Sequence, residues 1–167
     1  GSLPPGITVD IWLRLAKLLV NKGVNIVIDV AGSQLGQILK RWPKEVSSTI
    51  GPVMIKPNRP ELEELVGRPL KHDHNEVLKA AEELRDGGVQ RVVIIGPEGR
   101  WLATPPKVQV ATTVGAGDTL VAGTIARLLQ GSPFPDAAVF GMACAAARIQ
   151  QIEFGLPSVQ QVETLVK

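Results

Sequence analysis

The amino-acid sequence predicts a layered α/β/α domain built around a mainly parallel sheet. Short apolar segments rich in β-branched residues alternate with amphipathic segments over the first 95 residues, a pattern typical of parallel strands covered by helices on both faces. The 167 residues are 44% hydrophobic and 20% charged, with a formal net charge of +2. This composition favours a packed core over disorder, and we expect one domain whose helices are concentrated toward its end.

The composition also narrows the classes of function. The 18 Lys and Arg nearly balance the 16 Asp and Glu, without a dense basic run, so a nucleic-acid-binding role has little support. No apolar run reaches the roughly 18–20 residues of a membrane span, and no signal peptide is visible, so the cytoplasm is the expected compartment. Cys144 is the single cysteine; it excludes an internal disulfide, and its small neighbours predict a packed core residue.

The first half of the chain alternates between helical and strand patterns. Apolar residues at helical spacing predict a helix over 8–22, with Gly23 at the C′ position. The run VNIVIDV predicts a strand over 24–30. The same alternation predicts these further elements in order: a helix over 34–41, a strand over 53–56, a helix over 60–66 that begins with Pro60, a helix over 75–86 closed by Gly87 and Gly88, and a strand over 89–95.

The second half is mainly helical. The chain turns through GPEGR at 96–100 and a short segment over 101–110, and the loop over 112–117 leads into a helix over 118–130. Pro133 and Pro135 interrupt the chain before a helix over 136–150. Ser158 is expected to cap a last helix that runs to Lys167.

The segment TTVGAGDT at 112–119 is the most informative in the sequence. A Gly-Ala-Gly turn that enters a helix exposes backbone N–H groups, and with the helix dipole these favour an anion. A carboxylate at the helix start, Asp118, can accept the proton of an incoming hydroxyl. Phosphoryl transfer uses both features. The alternative is an ordinary turn with Asp118 as N-cap, but the strand-rich segment before the loop and the Ala- and Gly-rich helix after it favour function.

The run TTVGAGDTLVAG resembles the DTxGAGD signature of the ribokinase (PfkB) family of carbohydrate kinases. The segments GSLPPG, DVAG, IKPNRPELEELVGRPL and PPKVQVATTVGAGDT resemble consecutive segments of its 1-phosphofructokinase and tagatose-6-phosphate kinase subgroup, in the same order. The resemblance spans nearly the whole chain. It implies a ribokinase-like fold in which residues 1–167 are the C-terminal nucleotide-binding and catalytic part of a kinase domain, with the N-terminal part and the lid absent.

The resemblance also implies roles for particular residues. Asp118 would be the general base, and the N–H groups of Gly115, Ala116 and Gly117 would form an anion hole. ATP and Mg²⁺ would be the cofactors, with K⁺ as a further cation near the loop that Thr112 and Thr113 border. The implied nucleotide-binding residues are Lys56, Asn58, Gly96, Gly99 and Gly117, and the implied organisers of Mg²⁺, through water, are Asn58 and Glu61.

The residues themselves support these roles in part. The KPN segment lies at the carboxyl end of a predicted strand, where open α/β sheets bind ligands. Asn58 could equally be a helix cap, and Glu61, in the first helical turn, could equally compensate the helix dipole. Because Asn58 and Glu61 occur together with the GAGD loop, a role in the binding site is favoured for both residues.

The sequence departs from the family in two places. Ile95 precedes the GPEG turn where relatives carry Ser or Thr, and Gly99 leads almost directly to Trp101 where relatives carry a β-hairpin. The sequence between Gly99 and Trp101 is too short to form that hairpin. Neither the sugar-binding residues nor the lid strands of the family's front half are present. We therefore expect this chain alone to bind nucleotide weakly and to turn over sugar inefficiently.

Several other residues allow both a functional and a structural interpretation. His72 and His74 with Asp73 could bind a metal, but a solvated loop and helix cap is favoured. Asp29 could touch substrate or cap a turn. Arg148 could approach adenine or phosphate, although a surface charge is the simpler expectation. Three tryptophans are expected to pack or to contact a lid: Trp12, Trp42 and Trp101.

The function implied by the resemblance is ATP-dependent phosphorylation of a sugar phosphate, with fructose 1-phosphate converted to fructose 1,6-bisphosphate. Tagatose-6-phosphate kinase activity is the near alternative. A truncated, non-catalytic nucleotide-binding module is an alternative from another class. The expected partners are small molecules, with a homodimer in the full-length form. A dinucleotide-binding domain is disfavoured, because no G-x-G-x-x-G follows an early strand.

Overall fold

The computed structural model describes residues 6–30, 32–71, 73–90, 92, 106–153 and 155–166. The chain divides into two compact units, Gly1–Gly96 and Pro97–Lys167. The first unit contains α1 (Asp10–Val20), β1 (Val27–Ile28), α2 (Gly32–Glu45), β2 (Met54–Ile55), α3 (Arg59–Val66) and α4 (His74–Asp86). The second contains α5 (Ala116–Leu129), α6 (Phe134–Ile149) and α7 (Val159–Glu163).

The described sheet is parallel, as predicted. Val27 pairs with Met54 and Ile28 with Ile55, and a parallel bridge joins Ile55 to Val92 in the third predicted strand. The strands are shorter than the extended segments predicted over 24–30 and 53–56. Parallel pairing joins only Val27 and Ile28 to Met54 and Ile55. Residues 93–95 lie outside the described part of the chain.

Helix α2 is longer than predicted because Pro43 does not end it. Inside a helix, proline removes one hydrogen bond to the carbonyl four residues earlier and its ring crowds that carbonyl, so the last turn depends on other contacts. Trp42 is 3% exposed and donates from Nε1 to the Ile50 carbonyl at 2.7 Å, so packing holds the last turn in place. Conversely, α7 is shorter than predicted, although Ser158 caps it as expected.

Each unit has its own apolar core. In the first, buried faces of α1 and α2 pack with the strands, through Leu13, Leu35, Ile38 and Ile55 among others. In the second, a smaller cluster on α6 and α7 contains Cys144 with Ala143, Ala147 and Val162. The prediction for Cys144 is confirmed, and burial raises the pKa of its thiol, which disfavours the reactive thiolate.

Small residues bring α5 and α6 close together in the second unit. A methyl group added to Gly141 would overlap Thr124 Oγ1 and would lie 2.6 Å from the Leu120 carbonyl oxygen. One added to Gly123 would lie 2.6 Å from Cys144 Sγ. The Ala- and Gly-rich composition of these helices therefore serves close packing, which positions the start of α5.

The favoured reading of the His72–His74 segment is confirmed in its described part. Asp73 is the N-cap of α4 and accepts from the Asn75 N–H at 3.0 Å, whereas His72 and the His74 side chain lie outside the description. Among the described residues, no three His, Cys, Asp or Glu side chains converge as a metal-binding group. Nor does any described helix have the length and apolar character to cross a membrane.

Candidate functional site

The loop before α5 turns sharply at Gly115. Gly115 is the N-cap of α5 and adopts a left-handed conformation, with φ 79°, which a residue with a side chain adopts only with strain. The helix therefore begins at Ala116, two residues before the predicted start. Asp118 is the third residue of the helix, so the reading of Asp118 as an ordinary N-cap is wrong.

Several backbone N–H groups point out of the start of α5. Within the described part of the chain, the amides of Gly115, Gly117 and Asp118 have no backbone or side-chain acceptor. The Ala116 amide differs, since it donates to the Thr113 carbonyl at 3.3 Å. Three amides at one helix mouth thus remain available to an anion, and they include that of Asp118, which was not predicted from the sequence.

The Asp118 side chain is exposed at this helix mouth. No hydrogen bond or ion pair joins its carboxylate to another described residue, and no side chain caps the helix. A carboxylate in the first turn is favoured by the helix dipole. Its oxygens are therefore available to accept a proton from a reactant that approaches α5.

The loop is anchored on both sides by hydrogen bonds. The N–H groups of Ala111 and Thr112 both donate to the Ile149 carbonyl, at 2.7 and 3.1 Å. At the other end, the Thr119 hydroxyl donates to the Gly115 carbonyl at 2.7 Å. The Thr112 hydroxyl accepts from the Val114 N–H at 3.2 Å. Because these bonds tie the loop to α6 and to α5, the amides at the helix mouth are held in fixed directions.

Arg148 lies behind this loop and is only 4% exposed. The expectation of a surface charge is therefore wrong. Its Nη1 donates to the Gln151 carbonyl at 2.9 Å, and a methyl group on Gly115 would lie 3.5 Å from its Nε. Arg148, a buried residue, thus lies beside the turn that carries the amides, a relationship that no local sequence pattern indicates.

In the first unit, the side chains at the carboxyl ends of the two strands form an ion pair. Lys56 Nζ lies 3.2 Å from Asp29 Oδ1, with 12% and 25% of the two side chains exposed. The position agrees with the general location of ligand sites in open parallel sheets. Asp29 thus orients the Lys56 ammonium.

Asn58 and Glu61 form a reciprocal cap at the start of α3. The Asn58 side chain accepts from the Glu61 N–H at 2.9 Å, and Glu61 Oε2 accepts from the Asn58 N–H at 2.8 Å. Each cap interaction uses a single side-chain oxygen. No hydrogen bond to another described residue uses the second Glu61 oxygen. A water molecule of a hydrated Mg²⁺ would fit there, because this ion retains several waters and needs few protein ligands.

Two predicted residues, Gly96 and Gly99, lie outside the described residues. The remaining predicted residues fall into two groups. Lys56, Asn58 and Glu61 belong to the first unit, and the loop with Asp118 belongs to the second.

Known proteins resemble this chain over most of its length. The profile of the "pfkB family carbohydrate kinase" matches residues 1–160. A 1-phosphofructokinase of Xanthomonas campestris pv. campestris is 38% identical, over 77% of this chain and 42% of the relative. An ATP-dependent 6-phosphofructokinase isozyme 2 of Escherichia coli is 32% identical, over 88% of this chain and 48% of the relative.

Solved structures give the same result for the fold. Phosphofructokinase-2 from Escherichia coli, in complex with substrates and products, superposes with a TM-score of 0.82 and 26% identity, over 99% of this chain and 54% of that one. Its complex with potassium gives a TM-score of 0.80, also at 26% identity, over 99% and 54% of the two chains. The fold class predicted from the sequence is confirmed, and the chain spans about half the length of the relatives it matches.

Proposed function

The chain belongs to the pfkB family of carbohydrate kinases, and we propose that it carries the phosphoryl-transfer machinery of an ATP-dependent sugar-phosphate kinase. One observation carries the proposal. The exposed Asp118 carboxylate stands in the first turn of α5, beside three amides without a protein acceptor in the described chain. A base and an anion hole next to each other are what a transferring phosphoryl group requires.

The proposed reaction converts fructose 1-phosphate and ATP to fructose 1,6-bisphosphate and ADP. The sugar 6-hydroxyl oxygen bonds to the γ-phosphorus, the bond from this phosphorus to the β–γ bridging oxygen breaks, and that oxygen leaves on ADP. Asp118 accepts the hydroxyl proton. The amides of Gly115, Gly117 and Asp118 stabilise the negative charge on the equatorial oxygens of the moving group.

The cofactor proposal is ATP with Mg²⁺, and K⁺ as a further cation. Asn58 and Glu61 would hold Mg²⁺ through water, and Lys56 would contact a phosphate once its ion pair with Asp29 opens. Bound Mg²⁺ would neutralise charge on the ATP phosphates. For K⁺ the support is the potassium complex of the related phosphofructokinase-2, together with the position of Thr112 and Thr113 beside the loop.

The names of the two relatives indicate different sugar-phosphate substrates. The name of one supports fructose 1-phosphate, and that of the other, an ATP-dependent 6-phosphofructokinase, supports fructose 6-phosphate as the second candidate. Tagatose 6-phosphate stays as a third candidate from the sequence motifs alone.

A direct assay tests the proposal. The full-length natural protein is supplied with Mg-ATP and, separately, with fructose 1-phosphate, fructose 6-phosphate and tagatose 6-phosphate, and ADP is measured. We expect the highest kcat/KM with fructose 1-phosphate. If kcat/KM is higher with another sugar phosphate, the proposed substrate is wrong, but the proposed phosphoryl-transfer reaction is still supported.

The non-catalytic alternative gives a different result in the same experiment. A nucleotide-binding module would bind a non-hydrolysable ATP analogue, as calorimetry would detect, but would produce no ADP with any sugar phosphate. That outcome would reject the kinase proposal. Two expectations remain predictions: the slow turnover by the 167-residue chain alone, and the homodimer of the full-length form.

A further inference from the structure

We infer that Arg148 is a positioning residue for phosphoryl transfer, which holds the Gly115 turn and supplies a fixed positive charge behind the amides at the start of α5. The inference rests on the proposed function. It names a residue that no motif of the sequence identified and that lies 30 positions beyond Asp118 in the chain.

The burial of Arg148 is the first step. Arginine is rarely buried in full without partners, because removing a charge from water is costly. In the last turn of α6, a cation is favoured by the helix dipole, but that interaction is equally available to an exposed side chain. At 4% exposure, Arg148 is buried further than an interaction with the helix dipole requires.

The contacts of the guanidinium are the second step. Nη1 donates to the Gln151 carbonyl at 2.9 Å, so the side chain bends back over the end of α6. Its Nε faces Gly115, where a methyl group would lie 3.5 Å away. One residue further on, the Ile149 carbonyl accepts the amides of Ala111 and Thr112. The end of α6 therefore accepts hydrogen bonds from the beginning of the loop and lies beside its left-handed turn.

The electrostatic consequence follows from this placement. A transferring phosphoryl group carries negative charge at the mouth of α5, and a buried positive charge acts there with less screening than an exposed one. Arg148 lies beside the Gly115 turn, and in this inference it acts on the reactants through that turn. Its loss should misdirect the amides and lower the positive potential, which affects the transition state more than nucleotide binding.

The test compares three variants of the full-length natural protein. R148M removes the charge and keeps much of the side-chain volume, and R148K keeps the charge without the planar fork. R127M is the matched control. Like R148M, it replaces one arginine charge by methionine. Arg127 lies in the last turn of α5, about 18 Å along the helix from Gly115. There its guanidinium covers the Phe140 ring, 4.1 Å from the ring centroid.

We expect R148M to lower kcat roughly 10- to 100-fold, the scale of a misplacement of about 1 Å at a reacting centre. The KM for ATP and the stoichiometry of ATP-analogue binding should stay near wild type, and R148K should recover part of kcat. R127M should match wild type. If R148M is as active as R127M, or if both Arg148 variants fail to fold, the inference is overturned.

A second readout separates this inference from the proposed function. Inorganic phosphate is titrated into protein labelled with nitrogen-15 glycine, and the amide signals of Gly115 and Gly117 are followed. We expect these signals to shift in wild type and R127M, and to need at least about 10-fold more phosphate in R148M. If wild type turns over no sugar phosphate but shows this pattern, the proposed function fails and the role of Arg148 at the anion hole stands. Equal phosphate binding in R148M and wild type would overturn that role.

Discussion

Asn58 and Glu61 each accept the backbone N–H of the other, at 2.9 and 2.8 Å. This capping box fixes the start of α3 directly after β2. The same two side chains are proposed to organise Mg²⁺. For Glu61 the structural and catalytic roles can be separated, because the cap needs only an oxygen acceptor, whereas the proposed Mg²⁺ site depends on the charge of the carboxylate.

The structural role predicts a loss of stability in N58A. Removal of the side-chain acceptor leaves the Glu61 N–H unpaired and should lower the free energy of unfolding by about 1 kcal/mol. Urea unfolding followed by circular dichroism measures this change. N58D keeps an acceptor at the cap and should unfold close to wild type. An N58A protein as stable as wild type would contradict the importance of the cap.

The catalytic role predicts a change in Mg²⁺ dependence in E61Q. Glutamine also serves in a capping box, so stability should fall by no more than about 1 kcal/mol, the contribution of a negative charge to the start of a helix. The Mg²⁺ concentration for half-maximal turnover should rise roughly 10-fold or more, as for other residues that act on a metal indirectly. E64Q removes the same charge from the same helix and should leave this concentration unchanged. An unchanged Mg²⁺ dependence in E61Q would limit Glu61 to its cap.

The left-handed turn at the start of α5 predicts a specific effect of G115A. Alanine at φ 79° should cost about 1–2 kcal/mol and should lower turnover, because the amides change direction. Gly131 provides the control, since it has φ 84° with nothing within 4 Å of an added methyl. G131A should lose similar stability and keep its kcat. Equal kcat values in the two variants would contradict the role of the turn.

The contact between α5 and α6 predicts that G141A is destabilised. The added methyl would lie 2.6 Å from the Leu120 carbonyl oxygen, so the helices must separate at a cost of about 1–3 kcal/mol. In G36A, the methyl would meet Leu65 Cδ2 at 3.6 Å, an ordinary contact. G36A should be neutral or more stable by up to about 1 kcal/mol, from helix propensity. Thermal unfolding compares the two, and a stable G141A would refute the close contact.

Local signals in the sequence predicted much of the helical structure. The bounds of α3 and α4 agree with prediction within one residue, because each helix has a cap residue at its start and a glycine after its end. The start of α5 was placed two residues late, since Ala116 and Gly117 look like part of the loop. Only the backbone conformation of Gly115 shows where the helix begins.

The contacts between distant residues could not be predicted in this way. Arg148 looks like an exposed charge in the last turn of a helix, and its burial depends on how α6 packs against the loop before α5. The pairing of Lys56 with Asp29 likewise arises because parallel strands bring their carboxyl ends together. Local periodicity contains no information on either contact, whereas the family motif did identify the loop.

The most direct test of the central claim is the turnover of D118N in the full-length natural protein. Asparagine keeps the size of the side chain but cannot accept the proton, so kcat should fall by about 10²- to 10⁴-fold while calorimetry shows unchanged affinity for an ATP analogue. D136N is the matched control, because Asp136 is an exposed acid in the first turn of α6, and it should retain wild-type kcat. A D118N protein as active as D136N would contradict the account.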